Sequence, residues 1–258
     1  MKMMIAAFTV LLLAPTARAE EKLTADQVTQ KMLESDPWGF SGAEATAHVA
    51  LKDKKGATSQ LAFKVRSRRY EGQLSKALVR FSAPAEMAGA GFLLVQKKGG
   101  DDDDRFLYMP DLKKSRRIAG NLRTNAFMGT DFSFADLDRR DLRDGGFVLK
   151  GEENVDKFAC YHLDGDIKRA DSPYSRVELW VRKDNFLPIK WSLYDKAKKL
   201  QKTFAATEVK RVKGRWFISK SHMDNAADGH STELVLDEVT PRDDIPDDEF
   251  TVRALEKN

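Results

Sequence analysis

The side chains able to do chemistry are few and scattered. The four histidines, His48, His162, His222 and His230, stand in separate segments. None has the HxxxH, HxH or HExxH spacing that would bring two imidazoles to one metal. A lone histidine among alternating strand residues, as at His48 and His162, reads as a surface or satisfied core group. The single cysteine, Cys160, lies in the segment FACYHL. His162 shares its strand face at i+2, which makes a Cys–His pair conceivable, while a small buried hydrophobe is the simpler role for Cys160. The chain holds no GxSxG elbow. Ala88-Gly89-Ala90-Gly91 precedes a strand pattern, whereas a phosphate-binding loop follows a strand and opens a helix. Asp101 to Asp104 lack the alternate spacing and bidentate Glu of a calcium loop and read, with Gly99-Gly100, as an exposed hairpin loop. The chain is therefore read as non-enzymatic, with no catalytic residue, metal or cofactor.

What remains is apolar, and it has to be positioned by regular elements. Lys2, the uncharged run Met3–Leu13 and Ala17-Arg18-Ala19 form the three parts of a cleavable secretory signal, so residues 1–19 are expected to be removed. The run is too short for a transmembrane helix, which needs about 20 apolar residues. No cysteine follows it, so the expected product is an unacylated periplasmic protein comprising one domain, residues 20–258. A lone cysteine leaves an exported domain to be held by its core rather than by a disulfide. Net charge is +4 over the chain and falls to about +2 without Lys2 and Arg18. Acids and bases are interspersed, which gives no basic stripe for nucleic acid.

Thr24 and Gln27 fit a capping box, with Leu23 and Val28 as the hydrophobic staple. This predicts a helix over 24–35, ended by Asp36-Pro37. Beyond Gly42 the period changes from 3.6 to 2. Alternation marks strands over 45–51, 61–65, 77–82, 91–96, 105–108, 148–150, 159–164, 176–182, 189–194, 199–209, 215–223 and 232–239. Their connections are short, which points to antiparallel meanders rather than βαβ crossovers. One stretch breaks the pattern. Between Asn121 and Leu142, Phe127, Met128, Phe132 and Phe134 flank Gly129-Thr130, and Thr130 or Asp131 could cap a short helix carrying Phe134 and Leu137. Such an insert must bury its apolar face, and the concave side of the sheet is the natural place. Leu61, Phe63, Val65, Val79, Phe81, Phe92 and Leu94 are candidates for that face in the first half, and Val177, Leu179, Val181, Ile189, Trp191 and Leu193 in the second.

The segment Asp104–Leu137 resembles the outer-membrane lipoprotein-sorting protein family, distant relatives of the LolA and LolB carriers. The resemblance is carried by Tyr108-Met109-Pro110, by Arg116-Arg117-Ile118, and by Phe127-Met128-Gly129-Thr130-Asp131-Phe132 followed by Asp136-Leu137. Leu187-Pro188-Ile189 and Asp247-Asp248-Glu249-Phe250-Thr251 are similar to the family as well. The resemblance implies a mainly β (α+β) fold: an incomplete antiparallel β-barrel of LolA/LolB type with helices over its apolar concave face. It implies a periplasmic carrier for lipid or the acyl chains of lipoproteins, working with an inner-membrane lipid transporter of the resistance-nodulation-division type and an outer-membrane acceptor. The implied cavity and lid residues are Phe63, Val65, Phe81, Phe92, Leu94, Tyr108, Phe127, Met128, Phe132, Phe134, Leu137, Leu179 and Trp191. Arg116, Arg117 and Arg123 could hold an anionic headgroup, or could be a solvated strand edge; alternation allows at most one of Arg116 and Arg117 to face a ligand. The alternative is an envelope sensor or adaptor on the same fold, docking a partner through the charged tail from Arg242 to Asp248.

Overall fold

The computed structural model describes residues 22–35, 42–70, 74–98, 103–118, 122–137, 142 and 145–257. The expected signal segment and the Asp36-Pro37 helix stop lie outside them. Helix α1 (Ala25–Glu34) begins at the expected capping box: Gln27 N donates to Thr24 Oγ1 (3.2 Å) and Thr24 N to Gln27 Oε1 (2.8 Å). Thirteen strands follow: β1 (Ala43–Lys52), β2 (Thr58–Tyr70), β3 (Leu74–Ala83), β4 (Gly91–Val95), β5 (Asp104–Met109), β6 (Lys114–Arg117), β7 (Gly146–Val155), β8 (Phe158–Asp166), β9 (Tyr174–Arg182), β10 (Pro188–Asp195), β11 (Leu200–Val212), β12 (Arg215–Asn225) and β13 (His230–Pro241). Helix α2 (Val252–Glu256) closes the described chain.

All thirteen strands form one antiparallel sheet in the order β6-β5-β4-β3-β2-β1-β13-β12-β11-β10-β9-β8-β7. Each strand pairs with its sequence neighbour, except that β1 pairs with β13 and β6 does not pair with β7. The first and last strands thus meet mid-sheet, and the two free edges are consecutive in the chain. A sheet of this width must curl under its accumulated right-handed twist. The result is the expected incomplete barrel.

Register sorts the side chains onto two faces. One face carries Val49 opposite Leu61, Phe63 opposite Phe81, Val65 opposite Val79, and Val79 opposite Phe92. Across the second half the same face carries Thr232, Met223, Phe204, Trp191 and Leu179 in successive pairs. Helix α1 covers its far end, where Val28 and Met32 pack on Leu163, Val177, Leu179 and Val181. Burying two such side chains is worth about 1.5–3 kcal/mol each. The opposite face of β3–β5 is covered by the C-terminal segment: Ile245, Phe250 and Leu255 seal Leu78, Leu93 and Tyr108. Gly91 permits this close approach, since a Cβ there would lie 2.7 Å from Leu255 Cδ1 and 2.9 Å from Arg80 Nη1.

Two expectations are corrected. Residues 123–137 form turns with a single bridge, Ala126 to Ser133, so no helix carries Phe134 and Leu137, although Leu142 is helical. Met128 and Gly129 take consecutive positive φ (51° and 80°), and the Thr130 hydroxyl bonds the local backbone in competition with helical pairing. Asp103 is not part of an exposed loop. It is 1% exposed and bonded to the equally buried Arg105 (3.1 Å), which alternation places beside Leu94 on the apolar face. The charged tail after β13 is held to the sheet by Arg66–Glu249, Arg68–Asp247, Lys76–Asp247 and Arg215–Asp243 ion pairs, while the Asp243 and Asp247 side chains stay exposed.

Candidate functional site

The connection between the two free sheet edges contains the segment 122–137, and this segment lies on the concave face. Its centre is a tight turn: Phe127 N donates to Phe132 O (2.7 Å), and Thr130 N and Oγ1 both donate to Phe127 O (3.0 and 2.6 Å). Nothing lies within 4 Å of a Cβ built on Gly129, so glycine is required there for its backbone angle and not for space. The turn drives Phe127, Phe132 and Phe134 into the sheet, each 6–7% exposed. Phe127 stands 5.1 Å from Phe92, 5.5 Å from Phe134 and 6.1 Å from Phe81, ring centre to ring centre. Phe132 meets Phe204 at 6.3 Å, and Phe204 stacks on Trp191 at 3.5 Å.

Beneath this plug an apolar cavity of about 150 Å³ remains. The sheet contributes Val49, Leu61, Phe63, Val65, Ala77, Val79, Phe92, Leu94, Leu234 and Leu236; the plug contributes Phe127, Thr130, Phe132 and Leu137. Thr130 is the one side chain in the lining that carries a polar group, and that hydroxyl is already bonded within the turn. Such a cavity offers contact to hydrocarbon and no polar group to orient a reaction.

Polar bonds hold the plug from its rim. Asp131 N donates to Thr232 Oγ1 (2.9 Å), which donates to Asp131 Oδ2 (2.7 Å), and Asn225 Nδ2 donates to Asp131 Oδ1 (3.1 Å). Asp136 accepts from Ser133 N (2.7 Å), Tyr174 OH (2.8 Å) and Lys202 Nζ (3.0 Å). Arg123, 1% exposed, donates to Asp171 (2.9 Å). Burial pushes the Asp171 carboxyl up, but its bond to Arg169 and the charges of Arg123 and Arg169 outweigh this and hold it below the ordinary carboxylate range.

The structure gathers Phe63, Val65, Phe92, Leu94, Phe127, Phe132 and Leu137 around the cavity. Phe81, Met128, Phe134 and Trp191 pack around the same apolar cluster. Three candidates lie elsewhere. Tyr108 is on the convex face, because alternation aligns Leu107 with Phe92. Leu179 is on the concave face but beneath α1. Arg123 is consumed as a buried anchor of the plug. Arg117 is exposed and paired with Asp104 (2.8 Å), whereas Arg116 is exposed in register with Leu107 on the concave side. The Cys160–His162 pair does not form. Burial pushes the Cys160 thiol up to about 11, its Sγ donates to Phe158 O, and His162 shares a bond with Glu153 (2.8 Å) while stacking on Trp180. Among the described residues no group of three His, Cys, Asp or Glu is placed to hold a metal.

A family model with the description "uncharacterized protein" matches residues 73–257. Comparison with curated proteins gives no match. Among solved structures, the chain is similar to a DUF1329 family protein from Desulfovibrio piger, with 27% identity, a TM-score of 0.82, and coverage of 88% of this chain and 96% of that one. It also resembles an outer membrane lipoprotein-sorting protein domain from Vibrio parahaemolyticus, at 24% identity and a TM-score of 0.83, covering 91% and 98%. A LolA superfamily protein from Nitrosomonas europaea matches at 21% identity and a TM-score of 0.70, covering 90% and 100%. The chain belongs to the family of the model that matches residues 73–257, and its fold is LolA-like. In this LolA-like chain the block that carried the resemblance, Phe127 to Leu137, is the plug itself. Sequence reading identified its apolar side chains and missed its fastenings. Asp131 and Asp136 were in view, but Thr232, Asn225, Tyr174 and Lys202 come from strands far along the chain, and nothing local marks them as partners.

Proposed function

We propose that this protein is a periplasmic carrier that binds lipid, or the acyl chains of lipoproteins, on its concave face. The observation that carries the reading is the apolar cavity closed by a separately fastened aromatic loop. The LolA-like fold supports it, as does the Vibrio parahaemolyticus relative's description as a lipoprotein-sorting domain. A cavity of about 150 Å³ is the size that holds one benzene ring, so an acyl chain requires Phe127 and Phe132 to withdraw. The exchange is close to balanced, which suits a cargo that must be both bound and released. Ten buried methylenes supply about 8 kcal/mol, against about 1.5–3 kcal/mol for each phenylalanine withdrawn and about 1 kcal/mol for each rim hydrogen bond opened. Partnership with an inner-membrane transporter of the resistance-nodulation-division type and an outer-membrane acceptor would supply and remove the cargo.

The reading is tested with a fatty acid carrying a quencher on its chain, titrated into the protein while tryptophan fluorescence is followed. Trp191 stacks on Phe204 beside Phe132 and should be quenched saturably at one ligand per chain. Phe132→Asp, which places a charge in the cavity wall, should lower the affinity at least about tenfold while leaving the sheet folded. Equal binding by a folded Phe132→Asp protein would remove the site from this face.

A further inference from the structure

The hairpin of β5 and β6 forms one free edge of the sheet, and its tip is unusual in composition. A short turn over Pro110–Leu112 leads into Lys113 in a left-handed conformation (φ 47°), which leaves Leu112 55% exposed. Lys113, Lys114 and Arg116 follow, all exposed, and none of their side chains has a hydrogen bond or ion pair among the described residues. Asp111 is the one acid at the tip, and Arg117 is already paired with Asp104. Edge strands do carry cations to discourage pairing with other chains. Here that protection is largely supplied by other means: β6 is four residues long, and Glu256 of α2 accepts the Ser115 amide (3.1 Å). The three free cations and the exposed leucine are left without a structural task.

We propose that this hairpin docks on an anionic membrane surface, with Leu112 entering the interface and Lys113, Lys114 and Arg116 meeting lipid phosphates. Apolar tip and flanking cations are the combination that holds a peripheral protein to such a surface reversibly. The placement has a second consequence, which rests on the carrier reading. Val79, Phe92, Leu107 and Arg116 form one row across β3–β6, so the row that lines the cavity ends at the docked edge. A lipid leaving the membrane there would have a continuous path inward past a cation suited to its headgroup.

The test is flotation of the signal-free protein with phosphatidylglycerol-containing vesicles and with pure phosphatidylcholine vesicles, at low and high salt. The wild type should float with the anionic vesicles alone, and less as salt rises. Each cation replaced by glutamine should weaken binding about fivefold, so the Lys113→Gln/Lys114→Gln/Arg116→Gln variant should lose on the order of a hundredfold. Leu112→Ser should weaken it separately, and Lys54→Gln/Lys55→Gln, in a different loop, should retain wild-type binding. Equal binding to both vesicle types, or an unchanged hairpin variant, would leave the cations as edge protection and overturn the proposal. Fluorescent fatty acid uptake, measured on the same variants, separates this failure from that of the carrier reading.

Discussion

Asp103 and Arg105 show how one buried charge dictates its neighbour. Strand alternation sets Arg105 beside Leu94 on the apolar face, where a lone guanidinium is costly, and Asp103 turns inward to meet it. Replacing Asp103 by Ala removes the carboxylate bonded to that cation, and thermal unfolding should report a loss of about 1.5–3 kcal/mol. A loss below about 1 kcal/mol would mean that the pair is solvated in solution. The same alternation explains which residues sequence reading could place. Phe63, Val65, Phe92 and Leu94 fall on one face by counting in twos. Tyr108 was misplaced because it was taken from a motif rather than from its strand parity. Asp103 was misread because a run of four acids looks solvated until the tertiary position of Arg105 is known.

At the scale of elements, strands and α1 were legible while the plug's conformation was not. Period-2 patterns and a complete capping box are local signals, and each produced its element. The plug's cap residues and apolar spacing suggested a helix, but two adjacent left-handed residues and a long-range bond from Asp131 to Thr232 override that tendency. The pin can be tested directly. Thr232→Val should leave the Asp131 amide and carboxylate without their buried partner, at about 1–3 kcal/mol. Hydrogen exchange at the Phe127 and Phe134 amides, which bond across the plug, should accelerate while amides of β1 and β2 keep their protection. Unchanged exchange at Phe127 and Phe134 would show that the other rim bonds suffice.

Across the whole molecule, topology makes the plug an obligatory feature. Because β1 pairs with β13, the open edges β6 and β7 are joined by the one connection that can cross the mouth of the half-barrel. The element that covers the cavity is therefore tethered at both ends to the edges it bridges. The order of the strands was not readable from alternation, which gives strands and faces but not which distant pair closes the centre. No described helix is long and apolar enough to cross a membrane. The central claim is that this cavity is occupied by lipid, and native mass spectrometry of protein purified from the periplasm without detergent tests it most directly. The carrier account predicts a co-purifying lipid or acylated peptide near one per chain, released by solvent extraction and absent from Phe132→Asp. Protein that is free of lipid and takes up no fluorescent fatty acid would contradict it, leaving the concave face as a filled core.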